Sequence, residues 1–371
     1  MRILHVVTRL GLGGAERVAE LLAAASASEG HEVSLLPIVA ARDHAYRDAM
    51  TMRLTARGVR VRKGAASSTA KIAVVEGAGR LAQTVAAVRP DVVHLHTEIP
   101  EFAWALASVP SRGVRTVPVV RTVHNTLLWG GWGRMGRFAE RRLADARVAA
   151  VSVAARTAFL DWRASAGLPI GEAVVIYNGV DPSGLPDGPG EPGQPPLLCF
   201  AGRFEPQKGI DVLLESVARL GGSSPPFRVA VFGEGTLAAS VAAAAALTDG
   251  RMIVSPPVAD LRARLGSFDA ILMPSRFEGL PLLAVEALCA GIPILATKAP
   301  GLDEVLPDWY PGLCPPGDAS AFAEVMAAFL ADPAGWREDA QRARSEGLER
   351  FSLEAMVAAY QRLYEETVES V

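Results

Sequence analysis

Cysteine and lysine are both scarce in this chain, and long apolar runs are absent. Of 371 residues only Cys199, Cys289 and Cys314 are cysteine, widely spaced and in no CxxC pair. That spacing speaks against a disulfide framework or a zinc site and fits buried, inert thiols in a reducing compartment. No stretch approaches the roughly 20 apolar residues that span a bilayer, and the alanine-rich run Val241–Leu247 is far shorter. The apolar run at the N-terminus is too short for a signal peptide, so a cytoplasmic protein is expected. The formal net charge is only −3, which gives no reason to expect a nucleic-acid partner. Basic positions are almost all arginine, so each of the lysines Lys63, Lys71, Lys208 and Lys298 stands out against the local bias.

What is present is length and alternation. A chain of this size suits two domains. The apolar strand Ile3–Val7 leads into the glycine turn Gly11-Leu12-Gly13-Gly14, a helix from Ala15 to about Ser28 and a strand at Val33–Val39. Further strands are expected at Val92–His96 and Val117–Val120, with helices over Arg80–Val88 and Arg137–Ala144. Residues 182–196, dense in proline and glycine, interrupt the pattern and read as a linker. Alternation then resumes, with strands at Leu197–Ala201, Arg228–Phe232, Met252–Val254, Ala270–Met273 and Ile294–Ala296. Helices are expected at Ile210–Leu220 and Pro281–Ala290. Such alternation argues for parallel sheets covered on both faces. The expected fold class is α/β, with two Rossmann-like, doubly wound domains over residues 1–181 and 197–352. Ligands bind at the carboxyl ends of parallel strands, so two such domains facing each other would put the site in the cleft between them. A hinge beside Asp181 would let that cleft close and exclude water.

The segment from Phe277 to Glu286 carries the strongest chemistry. It follows the strand Ala270–Met273 and a turn at Pro274-Ser275. Pro281 suits a helix start, which leaves Glu278 in the loop ahead of it and Glu286 in the second turn. Gly279 lets backbone approach a ligand, and free N–H groups at the helix start favour an anion. One carboxylate is then placed to accept from sugar hydroxyls and the other to hold a ribose. The plainer alternative is a first-turn acid and a solvated face. Gly202 and Gly209 bracket a second loop, carrying Arg203 and Lys208. Two cations there suit a diphosphate leaving group, the arginine as a fork and the lysine as a point charge. The alternative is a solvated loop with an ion pair to Glu205.

Gly13 and Gly14 also follow a strand and open a helix. The third glycine and the acidic residue of a dinucleotide fingerprint are missing, so NAD is disfavoured. Their N–H groups still suit a phosphate or sugar. Thr122-Val123-His124-Asn125 puts His124 at a strand end, where it can donate to a hydroxyl or to developing charge. His94 and His96 share one strand face; no third ligand is evident, so no metal is expected. His96 is read as lining the acceptor side. Trp129, Trp132 and Arg134 lie in an arginine-rich stretch, 112–147, holding eight arginines against Glu140 and Asp145. That stretch reads either as a surface for an anionic membrane or acidic acceptor, or as a helix with aromatics inward and arginine outward.

Taken together, Gly13-Gly14-Ala15-Glu16-Arg17, Thr122-Val123-His124-Asn125, Asn178-Gly179-Val180-Asp181, Gly202-Arg203 with Lys208-Gly209, and the Glu278-x7-Glu286 pair resemble retaining glycosyltransferase family 4. The resemblance runs nearly end to end. It implies a GT-B fold whose final helix, about 353–371, crosses back to the first domain. It also implies that Arg203 and Lys208 hold the donor diphosphate and Glu286 the ribose. Glu278 would contact the donor sugar with Gly279 and Leu280 nearby, Val258 would sit at the nucleobase, and His124 would stand beside the reacting sugar. The loops Val231–Thr236 and Ser255-Pro256-Pro257 depart from the family pattern on the nucleotide side.

The implied reaction moves a sugar from a nucleoside diphosphate, UDP favoured, to an acceptor hydroxyl with retention. No cofactor beyond the nucleotide-sugar co-substrate is implied, and no metal, because the two cations do the metal's work. Bacterial envelope glycan, glycolipid or secondary-metabolite synthesis suits the resemblance, with peripheral contact to the inner face of a membrane through 112–147. Acceptor contacts are expected from loops 40–69 and 126–137. The competing readings are a nucleotide-sugar 2-epimerase of the same fold and a non-catalytic partner subunit.

Overall fold

A computed structural model describes all residues except 42, 68–69, 222–223 and 371. The chain divides into two compact units, Met1–Tyr177 with the segment from Glu354 onward, and Asn178–Leu353. Three positions of the expected acceptor loop 40–69 thus lie outside the described residues.

The first unit is built on a seven-stranded sheet: β1 (Arg2–Val7), β2 (Glu32–Pro37), β3 (Arg60–Val61), β4 (Val92–His96), β5 (Val119–Val123), β6 (Arg147–Ala150) and β7 (Val174–Val175). Their order is β3-β2-β1-β4-β5-β6-β7, with every pairing parallel. The central strands are buried on both faces, so His5, His94, His96, Arg121 and Thr122 lie inside along with the apolar residues. Leu4, Val6, Val93 and Leu95 pack with Leu81 and Val85 of the helix Ala70–Val88 and with Trp104 of the helix Glu98–Ser108. The first of these helices starts ten residues before the expected Arg80, since its exposed Ile72 and Val75 blur the apolar period.

Strand β5 corrects another expectation, running to Val123 instead of ending near Val120. Arg121, one residue past the expected end, is buried inside the strand, its guanidinium held by Glu101 and Glu140. The C-terminal helix Leu353–Glu369 belongs to this unit from Glu354 on. Its Tyr364 hydroxyl lies 2.7 Å from His94 Nδ1, and its Tyr360 hydroxyl lies 2.9 Å from Thr122 Oγ1.

The second unit holds a six-stranded parallel sheet: β8 (Leu197–Ala201), β9 (Arg228–Phe232), β10 (Met252–Ser255), β11 (Ala270–Met273), β12 (Ile294–Thr297) and β13 (Leu313–Cys314). The order is β10-β9-β8-β11-β12-β13. Residues 182–196 are no free linker. Gly188 N–H donates to Ala290 O (2.7 Å), Gly190 N–H to Gly266 O (2.8 Å), and Gly193 N–H to Asp269 Oδ1 (3.2 Å). Asn178–Asp181 also join this unit and not the first, with Val180 bridged to Ser352. A segment without periodicity still has backbone groups to satisfy, and these find partners on the second unit. No helix among the described residues is long and apolar enough to cross a membrane.

Candidate active site

In the second sheet the strand order reverses between β8 and β11, the kind of switch point where open parallel sheets bind ligands. The loops leaving these two strands carry the residues singled out in the sequence, and they interlock. Gly209 adopts φ 63°, and a β-carbon there would overlap the Pro274 carbonyl, so only glycine lets the loops close on each other. Arg276 N–H donates to Gln207 O (2.8 Å), and Gln207 Nε2 donates to Phe277 O (3.1 Å).

Within this frame Lys208 Nζ lies 2.6 Å from Glu278 Oε1, and Ser275 Oγ donates to the same oxygen at 2.7 Å. Glu278 is buried, and its N–H donates to Pro300 O (2.9 Å). Thr297 Oγ1 donates to Ser275 O, which fixes the turn from behind. Gly301, also left-handed at φ 79°, lets the next loop pass against the Glu278-Gly279 backbone. The carboxylate is thus fixed in place by one cation and one hydroxyl, with no described residue bonding its Oε2.

The remaining donor-side candidates are spread around this centre. Arg203 is exposed and donates from Nη2 to Gln207 Oε1 (2.8 Å). The sequence cast Arg203 and Lys208 as a matched pair of cations. Instead one is tethered to an amide and the other to a carboxylate. Pro281 caps the helix Leu282–Cys289 from outside, with Glu286 half-buried in its second turn. Glu286 lies 3.7 Å from Arg262 Nε. Leu280 is buried, and its carbonyl accepts from Asn178 Nδ2 (3.0 Å), so the Asn178 turn props the donor loop. Val258 is half-buried in the loop after β10. In the sequence Ser275 reads only as part of a turn, and Arg262 and Gln207 are given no role, since their signal is proximity in the fold.

In the first unit the sheet reverses between β1 and β4. Gly13 caps the helix Gly14–Ser28, and a β-carbon on it would collide with the Glu16 carboxylate; Gly14 faces open space. The strands β1, β4 and β5 bring together a group of histidines larger than the sequence revealed. Parallel register sets His5 of β1 against His94 of β4. His5 Nδ1 lies 3.2 Å from His96 Nε2, and His96 Nδ1 lies 3.2 Å from His124 Nε2. The nitrogens of His5, His94 and His96 fall within 4.8 Å of one another, so a third potential metal ligand does exist. His94, however, spends both nitrogens on Tyr364 and Thr122. Burial pushes the His5 imidazole down to about 3 and holds His94 and His96 well below the usual range. His124, half-buried just past the end of β5, is lowered by the same desolvation.

Three acceptor-side expectations change. His96 is fully buried behind His124 and lines no open surface. Trp129 is buried against Ala105, Ala139 and Trp162, with Trp132 packed on that cluster, because the helix Gly133–Arg142 presses Gly136 against the Trp129 ring. The arginine stretch is not wholly a surface, since Arg121 and Glu140 form a buried network with Glu101 and Arg163. Arg134 remains exposed, as do Arg112, Arg115, Arg141 and Arg147.

Comparison with known proteins identifies the ensemble. Residues 12–183 match the family described as Glycosyltransferase Family 4, and residues 185–350 match Glycosyl transferases group 1. The chain is 27% identical to a glycogen synthase of Mycobacterium tuberculosis over 74% of its own length and 69% of the relative's. It is 29% identical to a phosphatidyl-myo-inositol mannosyltransferase of Mycobacterium leprae, over 74% of this chain and 73% of the other. Its fold matches Anabaena HepE, solved in complex with UDP-glucose, with a TM-score of 0.81 at 20% identity over the full length of both chains. The expected GT-B class is therefore the observed one, and an interlocked pair of switch-point loops bearing Lys208 and Glu278 sits in a chain that belongs to the family-4 glycosyltransferases.

Proposed function

We propose that this glycosyltransferase moves a sugar from a UDP-sugar to an acceptor hydroxyl, with retention of configuration and without a metal. The observation that carries the reading is the Lys208–Glu278 pair, with Arg203 on the same loop, at the β8/β11 switch point. Lys208 has two further N–H groups for the leaving diphosphate, and Arg203 swings from Gln207 to join it. Glu278 Oε2 accepts from a sugar hydroxyl, and Glu286, steadied by Arg262, accepts from the ribose. HepE's complex with UDP-glucose supports uridine as the base.

In the step itself the bond from the anomeric carbon to the diphosphate breaks, and a bond to the acceptor oxygen forms on the same face. A phosphate oxygen of the leaving group takes the acceptor's proton. Arg203 and Lys208 bring the positive charge that a metal supplies in other transferases. His124, on the first unit, is the group there that contacts a sugar hydroxyl. The relative named for phosphatidyl-myo-inositol supports a polyol acceptor at an envelope membrane, reached from the cytoplasmic side, and the exposed arginines suit an anionic surface.

A thermal-shift screen of UDP-, GDP-, ADP- and dTDP-sugars, followed by mass spectrometry with candidate polyols, tests this. The expected result is selective stabilisation by a UDP-sugar, and transfer that survives EDTA and yields the donor's anomer. Stabilisation by GDP- or ADP-sugars alone would refute the choice of base. Loss of transfer on chelation would refute metal independence.

A further inference from the structure

The first unit contains two polar chains that run side by side through its core. One is Tyr360–Thr122–His94–Tyr364, with hydrogen-bond lengths of 2.7–2.9 Å. The other is His5–His96–His124, with two contacts of 3.2 Å. The His94 and His96 rings lie 3.9 Å apart, so the first chain braces the second.

The second chain has a direction. A neutral imidazole carries one N–H, so three imidazoles joined by two hydrogen bonds must all point the same way. If they point toward His5, its Nε2 bears a hydrogen, yet His5 is fully buried and that atom has no partner among the described residues. If they point toward His124, only a lone pair is left unsatisfied on His5 Nε2. Orphaned buried N–H groups are the rarer defect, so the hydrogens point outward. His5 Nδ1–H donates to His96 Nε2, and His96 Nδ1–H donates to His124 Nε2. His124 is then left with its hydrogen on Nδ1, an atom no described residue bonds. A free histidine favours the opposite tautomer, so the buried chain imposes this one.

We propose that His96, backed by His5, is a positioning residue that locks His124 as the Nδ1–H tautomer and so presents a hydrogen-bond donor to substrate. The functional half of this inference rests on the role given to His124 above; the tautomer itself does not. A sugar hydroxyl or ring oxygen meeting His124 must therefore accept, which selects for an acceptor lone pair and against a second donor.

Ring nitrogen-15 NMR of the full chain, without substrate, reads the tautomer directly. The wild type is expected to show His124 protonated at Nδ1, and an Nε2–H signal would overturn the proposal. In His96→Phe the signal should move toward Nε2–H and kcat should fall roughly tenfold, the worth of one hydrogen bond, with little change in donor KM. His96→Asn, whose amide can still donate to His124 Nε2, should restore the Nδ1–H signal and part of the rate. An unchanged tautomer in His96→Phe would refute the relay. Should His96→Phe fail to fold, the wild-type spectrum decides alone. Normal transfer by His124→Ala, with the tautomer as expected, would remove His124 from the reaction and leave the relay standing.

Discussion

Lys208 and Glu278 are 70 residues apart in the chain and 2.6 Å apart in space. The pair means that neither residue acts alone. Lys208→Ala removes a charge from the leaving diphosphate and strips a buried carboxylate of its counter-ion, so turnover should fall by about 10²–10³. Steady-state kinetics with the UDP-sugar measures this, and wild-type turnover would exclude Lys208 from the mechanism.

The same contact predicts non-additivity. Glu278→Gln keeps the size of the side chain and an acceptor for Ser275 Oγ. In a double-mutant cycle with Lys208→Ala, the combined loss should be smaller than the sum by about 0.5–3 kcal/mol, the usual coupling of residues in contact. Strict additivity would mean that the pair is an idle surface contact.

Glu286 is expected to act on binding. Glu286→Ala should raise the donor KM about tenfold, the loss of one hydrogen bond to a charged group, and change kcat little. Titration with UDP and 2′-deoxy-UDP provides the control. The wild type should prefer the ribose and the variant should lose that preference; retained discrimination would assign the ribose to another residue.

Stability should fall in mild acid. His5, His94 and His96 are buried and neutral, with native pKa values depressed below the unfolded value near 6.5. Below that value the unfolded chain binds protons that the native chain refuses, so stability rises with pH through this window and is lost as pH drops. Each such histidine contributes a slope of about 1.4 kcal/mol per pH unit. Urea melts at pH 8, 6.5 and 5.5 should give a smaller loss over the first interval and a larger loss over the second. Equal midpoints at 6.5 and 5.5 would contradict the burial.

Arg121 offers a test of the core. Arg121→Met leaves Glu101 and part of Glu140 without their buried partner, which costs about 3–5 kcal/mol. Burial already pushes Glu101 up to about 8 with Arg121 beside it, and losing the guanidinium raises it further. The variant's deficit against wild type should therefore be largest near pH 9 and shrink as pH falls toward 8, where the variant's carboxyl already holds its proton. A deficit independent of pH would point to lost packing on Phe159, which Arg121 overlies at 5.1 Å.

Much of the fold is legible because parallel strands buried on both faces write themselves as short apolar blocks. Those at Leu197–Ala201, Arg228–Phe232 and Ala270–Met273 have the same bounds in sequence and structure. Arg121 misled because a charge inside a strand looks like its end until Glu101 and Glu140 arrive from elsewhere. The donor loops were legible as residue types after strands, but not as partners, since a contact across 70 residues leaves no trace in spacing. His5 was invisible for a similar reason. Only the β1/β4 register sets it beside His94, and a histidine in an N-terminal strand advertises nothing. Trp129 and His96 were misplaced because position near a strand end does not say which way a side chain turns.

The segment from Glu354 onward has a consequence for how the protein is made. Tyr360 and Tyr364 complete the hydrogen bonding of Thr122 and His94, deep in a sheet whose own strands end at Val175. During synthesis the first unit emerges long before those tyrosines do. It must wait on the ribosome with an open polar seam while the whole second unit is translated. The last hydrogen bonds of the first unit can therefore form only after the second unit has been translated.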